Sequence, residues 1–67
     1  MIVSAVQEGA YVYVYGENNV LLCTISCPGG SNGVLVTFTS RNVTIRSGLY
    51  LYIYDENGKL VQKISLA

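Results

Sequence analysis

The sequence predicts an all-β domain, a small barrel or sandwich of about six or seven short antiparallel strands. Three observations carry this. Strand-favouring residues alternate with period two in Tyr11-Val12-Tyr13-Val14-Tyr15, in Leu49 to Tyr54, and more briefly in Leu35 to Thr39 and Val43 to Ile45. Clusters of Gly, Asn, Ser and Asp separate these runs. No stretch has the i, i+3, i+4, i+7 apolar spacing with caps that a helix needs.

Taken in order, the strands are expected near residues 2–6, 10–15, 20–26, 34–40, 43–46, 49–54 and 59–66. Val, Ile, Tyr and Thr fill them because β-branched and aromatic side chains pack well on a pleated surface. Turns are expected at Gly16 to Asn19, Pro28 to Gly33, Arg41-Asn42, Ser47-Gly48 and Asp55 to Gly58. Asn57-Gly58 is the strongest hairpin signal, since a type I′ turn needs positive φ at both central residues.

Length and composition set the scale. The chain has 67 residues, 51% of them apolar and 12% charged, with a formal net charge of zero. So apolar a composition excludes intrinsic disorder, and 67 residues hold one domain. A chain this short buries only about 60% of its unfolded surface. Disulfides, a metal or oligomerisation usually supply the missing stability. His is absent and there are only two Cys, so no metal or other cofactor is expected. Weak surface charge favours self-association. A homo-oligomer is therefore expected, with a dimer as the first candidate and another protein as an alternative partner.

Cys23 and Cys27 would lie roughly 13 Å apart on one strand, at about 3.3 Å per residue, too far for a disulfide. They are expected to be reduced and to act as small apolar residues, which suits the cytoplasm. The first residues lack the basic and apolar regions of a signal peptide. No apolar run approaches the length of a membrane span.

The chain also aligns with itself. Residues 9–26 match residues 48–65 at a spacing of 39, with half of the 18 positions identical. Tyr11, Tyr13 and Tyr15 fall on Tyr50, Tyr52 and Tyr54, and Glu17-Asn18 on Glu56-Asn57. The expectation is one domain of two half-repeats, near 1–27 and 40–67, joined by a connector at 28–33 and related by a pseudo-twofold.

Each Tyr triplet lines one face of its strand. Unbroken alternation through the turn groups Tyr11, Tyr13 and Tyr15 with Val20, Leu22 and Thr24. Ala10, Val12, Val14, Leu21, Cys23 and Ile25 then fall on the opposite face. Both faces of this hairpin are apolar, so one core face leaves another for a partner. Tyr11, Tyr13, Tyr15, Val20 and Leu22 are the expected oligomer or partner interface. In the second hairpin the same parity groups Tyr50, Tyr52 and Tyr54 with Lys59, Val61 and Lys63. Leu49, Leu51, Ile53, Leu60, Gln62 and Ile64 then form the core face.

Catalysis is not expected. The commonest general base is missing with His, and the four carboxylates (Glu8, Glu17, Asp55, Glu56) sit at turns or strand ends. Tyr50, Tyr52, Tyr54, Lys59, Lys63 and Arg46 form the alternative candidate, a ligand face for single-stranded nucleic acid or carbohydrate. Four basic residues balanced by four acidic ones argue against nucleic acid. Val43-Thr44-Ile45-Arg46-Ser47-Gly48, followed by Tyr50-Leu51-Tyr52-Ile53-Tyr54-Asp55-Glu56-Asn57-Gly58-Lys59-Leu60-Val61, resembles the C-terminal hairpin of small uncharacterised phage and prophage β-proteins. The resemblance covers about 20 residues and implies a short protein made in a bacterial host, with no catalytic residues attached. The sequence points to a non-enzymatic structural or protein-interaction module.

Overall fold

The structure is a computed structural model that describes residues 1–28, 30 and 33–66. Seven strands follow one another: β1 Ser4–Glu8, β2 Tyr11–Tyr15, β3 Leu21–Ser26, β4 Val34–Phe38, β5 Asn42–Ser47, β6 Tyr50–Asp55 and β7 Leu60–Ser65. All neighbours pair antiparallel. They form a three-stranded sheet, β1-β2-β3, and a four-stranded sheet, β4-β5-β6-β7. The sheets do not close on each other, so of the two expected architectures the barrel is excluded. The connector expected at 28–33 falls outside the described residues at 29, 31 and 32.

The β2–β3 and β6–β7 turns differ from the tight type I′ geometry. Asp55 and Lys59 close the second by a backbone hydrogen bond of 2.9 Å, leaving Glu56, Asn57 and Gly58 as a three-residue loop. Gly58 has φ +84° while Asn57 keeps a negative φ, the pattern of a type I turn followed by a left-handed glycine. The Asp55 carboxylate accepts the amides of Asn57 and Lys59, both at 2.9 Å, and so fixes the loop. Register then shifts: Ile53 faces Gln62 but Tyr54 faces Leu60, so Val61 is a bulged extra residue. The first hairpin does the same. Gly16 donates to the Val20 carbonyl at 2.8 Å, and Val14 faces Cys23 while Tyr15 faces Leu21, which leaves Leu22 bulged.

Pairing in β1-β2-β3 and in β5-β6-β7 coincides at a spacing of 39. Val12 faces Ile25 and Leu51 faces Ile64; Val6 faces Tyr13 and Ile45 faces Tyr52. Gly9 and Gly48, in the turns that precede β2 and β6, have φ of +58° and +61°.

One apolar core joins the two sheets. It contains Ile2, Val12, Val14, Ile25, Cys27, Val43 and Ile45, with Ala5, Cys23, Leu35, Phe38 and Tyr54 packed against it. The first sheet contributes its Val12-Val14-Ile25 face, as expected. The second contributes the opposite choice. Val43 faces Tyr54 and Ile45 faces Tyr52, so the buried residues share the tyrosine face. The expected core face of Leu51, Ile53 and Ile64 lies outside the core and is half-exposed, and Leu49 and Leu60 are exposed. The reason is in the neighbouring strands. Where β1 has Ser4 and Val6, β5 has Val43 and Ile45, and β4 adds Leu35 and Phe38 beside them. Where the first sheet has Ala5, Gln7 and Cys23 around its valines, the second has Thr44, Arg46 and Gln62. Burying the former face removes more apolar area from water. Twofold packing would bring counterpart faces together; these sheets meet through non-counterpart faces, which corrects the pseudo-twofold expectation.

Gln7 ties the sheets at the edge of the core. The Leu35 amide donates to its Oε1 at 2.9 Å, and its Nε2 donates to the Gly33 carbonyl at 2.6 Å. Ile2 donates to the Ser40 carbonyl at 2.7 Å and anchors the N-terminal segment to the β4–β5 turn. Gly33 has no room for a side chain, since a Cβ there would lie 2.7 Å from that of Cys27.

Candidate functional site

The first candidate surface is the outer face of β1-β2-β3. Cross-strand pairs place Val6 beside Tyr13, Glu8 beside Tyr11, Thr24 beside Tyr13 and Ser26 beside Tyr11. Tyr11 is 50% exposed and Val6 49%, on a sheet whose other face is fully committed to the core. Tyr13 and Tyr15 are half-buried by their neighbours. Val20 and Leu22 do not join this row. The bulge at Leu22 breaks the alternation, so Leu21 takes the place opposite Tyr15, and Val20 belongs to the turn opposite Gly16. Both remain exposed at the turn end of the same hairpin.

The second candidate surface is smaller than the sequence implies. Lys63 faces Tyr52, and its ammonium sits 4.2 Å from the Tyr50 ring centroid and 5.4 Å from that of Tyr52. The two rings are 6.3 Å apart and tilted by 56°. The other three candidates stand apart. Tyr54 turns into the core, where burial first, then Tyr52 and Cys27, push its phenol above the ordinary value. Lys59 closes the loop opposite Asp55, and the bulge at Val61 takes it out of the tyrosine row. Arg46 faces Leu51, on the opposite side of the sheet, and its Nε donates to the Gly48 carbonyl at 3.3 Å.

The free thiols lie between the sheets: Cys27 is buried and Cys23 half-buried. Burial raises both above the ordinary thiol range, helped at Cys23 by the Asp55 carboxylate. A shallow cleft of about 270 Å³ lies elsewhere, between Met1, Ser40, Arg41 and Glu56. The Met1 ammonium and the Glu56 carboxylate pair across it at 2.9 Å. Among the described residues no three His, Cys, Asp or Glu side chains gather as metal ligands would. None of their helices is long and apolar enough to cross a membrane.

Two features escaped the sequence. Gln7 has no motif to mark it. Its only signal is a polar side chain at a core position of β1. The half-exposed Leu51-Ile53-Ile64 face was hidden by its own hydrophobicity, which reads as core. No protein-family model, curated protein or solved structure matches this chain.

Proposed function

We propose that this protein is a non-enzymatic assembly module whose first-sheet tyrosine face binds another copy of the chain. The single observation that carries the reading is the row of exposed Val6 and Tyr11 with half-buried Tyr13 between them, on the face of the first sheet turned away from the core. Tyr combines apolar area with a polar hydroxyl and is enriched where proteins meet. A near-neutral surface offers little repulsion between copies. The matching register of β1-β2-β3 and β5-β6-β7 supports a unit present twice in the chain. Two reduced thiols at the core suit a reducing compartment such as the cytoplasm.

The scale of the face sets the strength. Three strands at about 4.8 Å and five residues at about 3.3 Å span roughly 14 by 17 Å. A stable interface removes about 800 Å² per partner from water. Association through this face alone is therefore weak and concentration-dependent. Light scattering on a size-exclusion column over a concentration series tests it. The average mass should climb with concentration, and Tyr13→Glu should abolish the climb. A constant monomer mass, or a Tyr13→Glu variant that associates like the parent, overturns the reading.

A second reading rests on the Lys63 ammonium poised over Tyr50 and Tyr52. That pair of tilted rings offers a platform for a sugar ring or a base. Titration with an oligosaccharide and with single-stranded nucleic acid, read by tyrosine fluorescence, should quench with one of them; a flat response to both discards it.

A further inference from the structure

The contact between the sheets joins two different kinds of face. The Val12-Val14-Ile25 face of the first sheet lies on the tyrosine-side face of the second. At a spacing of 39 the chain has a counterpart of each, and neither is used. The counterpart of Val12, Val14 and Ile25 is Leu51, Ile53 and Ile64, half-exposed on the outside of the second sheet. The counterpart of the second sheet's tyrosine side is the Val6-Tyr11-Tyr13 face, outside the first sheet. One molecule thus carries, on opposite outer faces, the repeat counterparts of the two surfaces that it joins within itself, more polar than the originals and without the part that β4 adds.

We propose that copies of this chain associate head to tail, the Leu51-Ile53-Ile64 face of one chain covering the Val6-Tyr11-Tyr13 face of the next. The proposal rests on the self-assembly reading above and specifies its geometry. A contact between unlike faces leaves one of each free at the ends, so it propagates instead of closing as a twofold dimer does.

Charge supports this pairing. Arg46 lies on the Leu51 face and Glu8 on the Tyr11 face. The ion pair between Met1 and Glu56 involves neither. Within the chain, the counterpart of Arg46 is Gln7, and the two side chains make the same local bond. Gln7 Nε2 donates to the Gly9 carbonyl at 3.1 Å, and Arg46 Nε to the Gly48 carbonyl at 3.3 Å. Gln7 also reaches across the internal interface to the Gly33 carbonyl. Gly33 precedes Val34, which pairs with Arg46, so it sits level with Ser47. Ser47 is the counterpart of Glu8. Repeating the internal contact between molecules therefore sets Arg46 of one chain level with Glu8 of the next, beside its edge strand β1, and opposite charges at that level favour the pairing.

Complementation tests it by sedimentation velocity on the full chain. Tyr13→Glu blocks one face and Ile53→Lys the other. Each variant alone should stay monomeric at concentrations where the parent associates. Their equimolar mixture should form a dimer and nothing larger, since each contributes one intact face. If Ile53→Lys associates as the parent does while Tyr13→Glu does not, the contact is twofold through the tyrosine face; the head-to-tail geometry falls and the assembly reading stands. A parent that stays monomeric sinks both. Charge exchange at the surface gives a check that leaves the core untouched. Glu8→Arg or Arg46→Glu alone should weaken association about fivefold or more, and the double variant should recover it. A double variant as weak as the singles overturns the proposal.

Discussion

The Lys63 ammonium lies 4.2 Å from the centre of the Tyr50 ring, on strands held in register by the pairing of Tyr50 with Ser65 and of Tyr52 with Lys63. Lysine stems commonly lie along apolar surface with the charge at the rim; here the charge itself is over the π face. An exposed cation–π contact contributes about 0.5–1 kcal/mol. Lys63→Gln should lower stability by about that amount, and Tyr50→Leu should remove the same coupling. A double-mutant cycle in urea isolates it, since the effects of contacting residues do not add. Additive single effects would mean that the ammonium is simply solvated.

Gln7 is a stronger test of how the sheets are held. Replacing it with Ala leaves the Leu35 amide and the Gly33 carbonyl without their partner at a part-buried site. Leaving buried polar groups unsatisfied costs about 1–3 kcal/mol. The urea midpoint of Gln7→Ala should fall accordingly with the slope unchanged, because the area exposed on unfolding stays the same. Gln7→Glu should recover little, since a carboxylate accepts from Leu35 but cannot donate to Gly33.

Much of the architecture was legible in the sequence. Each of the seven strands lies where alternation and turn residues put it, with the first displaced by two residues because the chain from Met1 to Val3 runs on as an anchor to Ser40. Parity failed at the hairpin turns. A three-residue loop and a bulge at Val61 separate Lys59 from the tyrosines, and the bulge at Leu22 does the same to Val20 and Leu22. Bulges follow from turn geometry and loop length, which the Asn-Gly pair does not specify alone. The choice of core face in the second sheet was invisible for another reason. Leu51, Ile53 and Ile64 outrank Tyr50 and Tyr52 in hydrophobicity. The outcome turned on Val43, Ile45, Leu35 and Phe38, supplied by strands outside that hairpin. A hairpin read in isolation cannot weigh residues that other strands bring to it.

Alkaline pH should destabilise the fold. Burial raises the Cys23 and Cys27 thiols above 9.0 and the Tyr54 phenol above 10.0. The native state therefore keeps these protons at pH values where the unfolded chain releases them. Their contribution is complete below the ordinary values and fades as pH rises toward and through the raised folded values, the loss beginning above 9.0 for the thiols and above 10.0 for Tyr54. Thermal unfolding followed from pH 7 to about 11 should show a level Tm at first and then a decline. Cys23→Ala with Cys27→Ala should remove the earlier part of the decline and leave the later part. The same burial should slow alkylation of Cys27 relative to an unfolded control. A Tm decline beginning well below pH 9.0 would mean that another group controls it.

The two faces of β5-β6-β7 make opposite predictions for almost the same substitution. Ile45 is fully buried among Val12, Val14 and Val43, whereas Ile53, on the neighbouring strand opposite Thr44 and on the other side of the sheet, lies outside the core. Truncating a core isoleucine removes its transfer free energy and leaves a cavity, at about 2–5 kcal/mol. For a chain of 67 residues that approaches the whole stability of roughly 0.05–0.15 kcal/mol per residue. Ile45→Ala should therefore unfold largely at 25 °C or lose most of its denaturant midpoint. Ile53→Ala should stay folded and lose under about 1 kcal/mol in dilute solution, where only half-exposed area is at stake. Raising protein concentration adds a second contrast. The parent should gain stability through assembly, because a partner that binds only the folded chain shifts the equilibrium by mass action. Ile53→Ala should gain less, since it has lost contact area on the face that a neighbouring chain covers. Equal destabilisation by the two substitutions at low concentration would place Ile53 in the core after all, and with it the face on which head-to-tail packing depends.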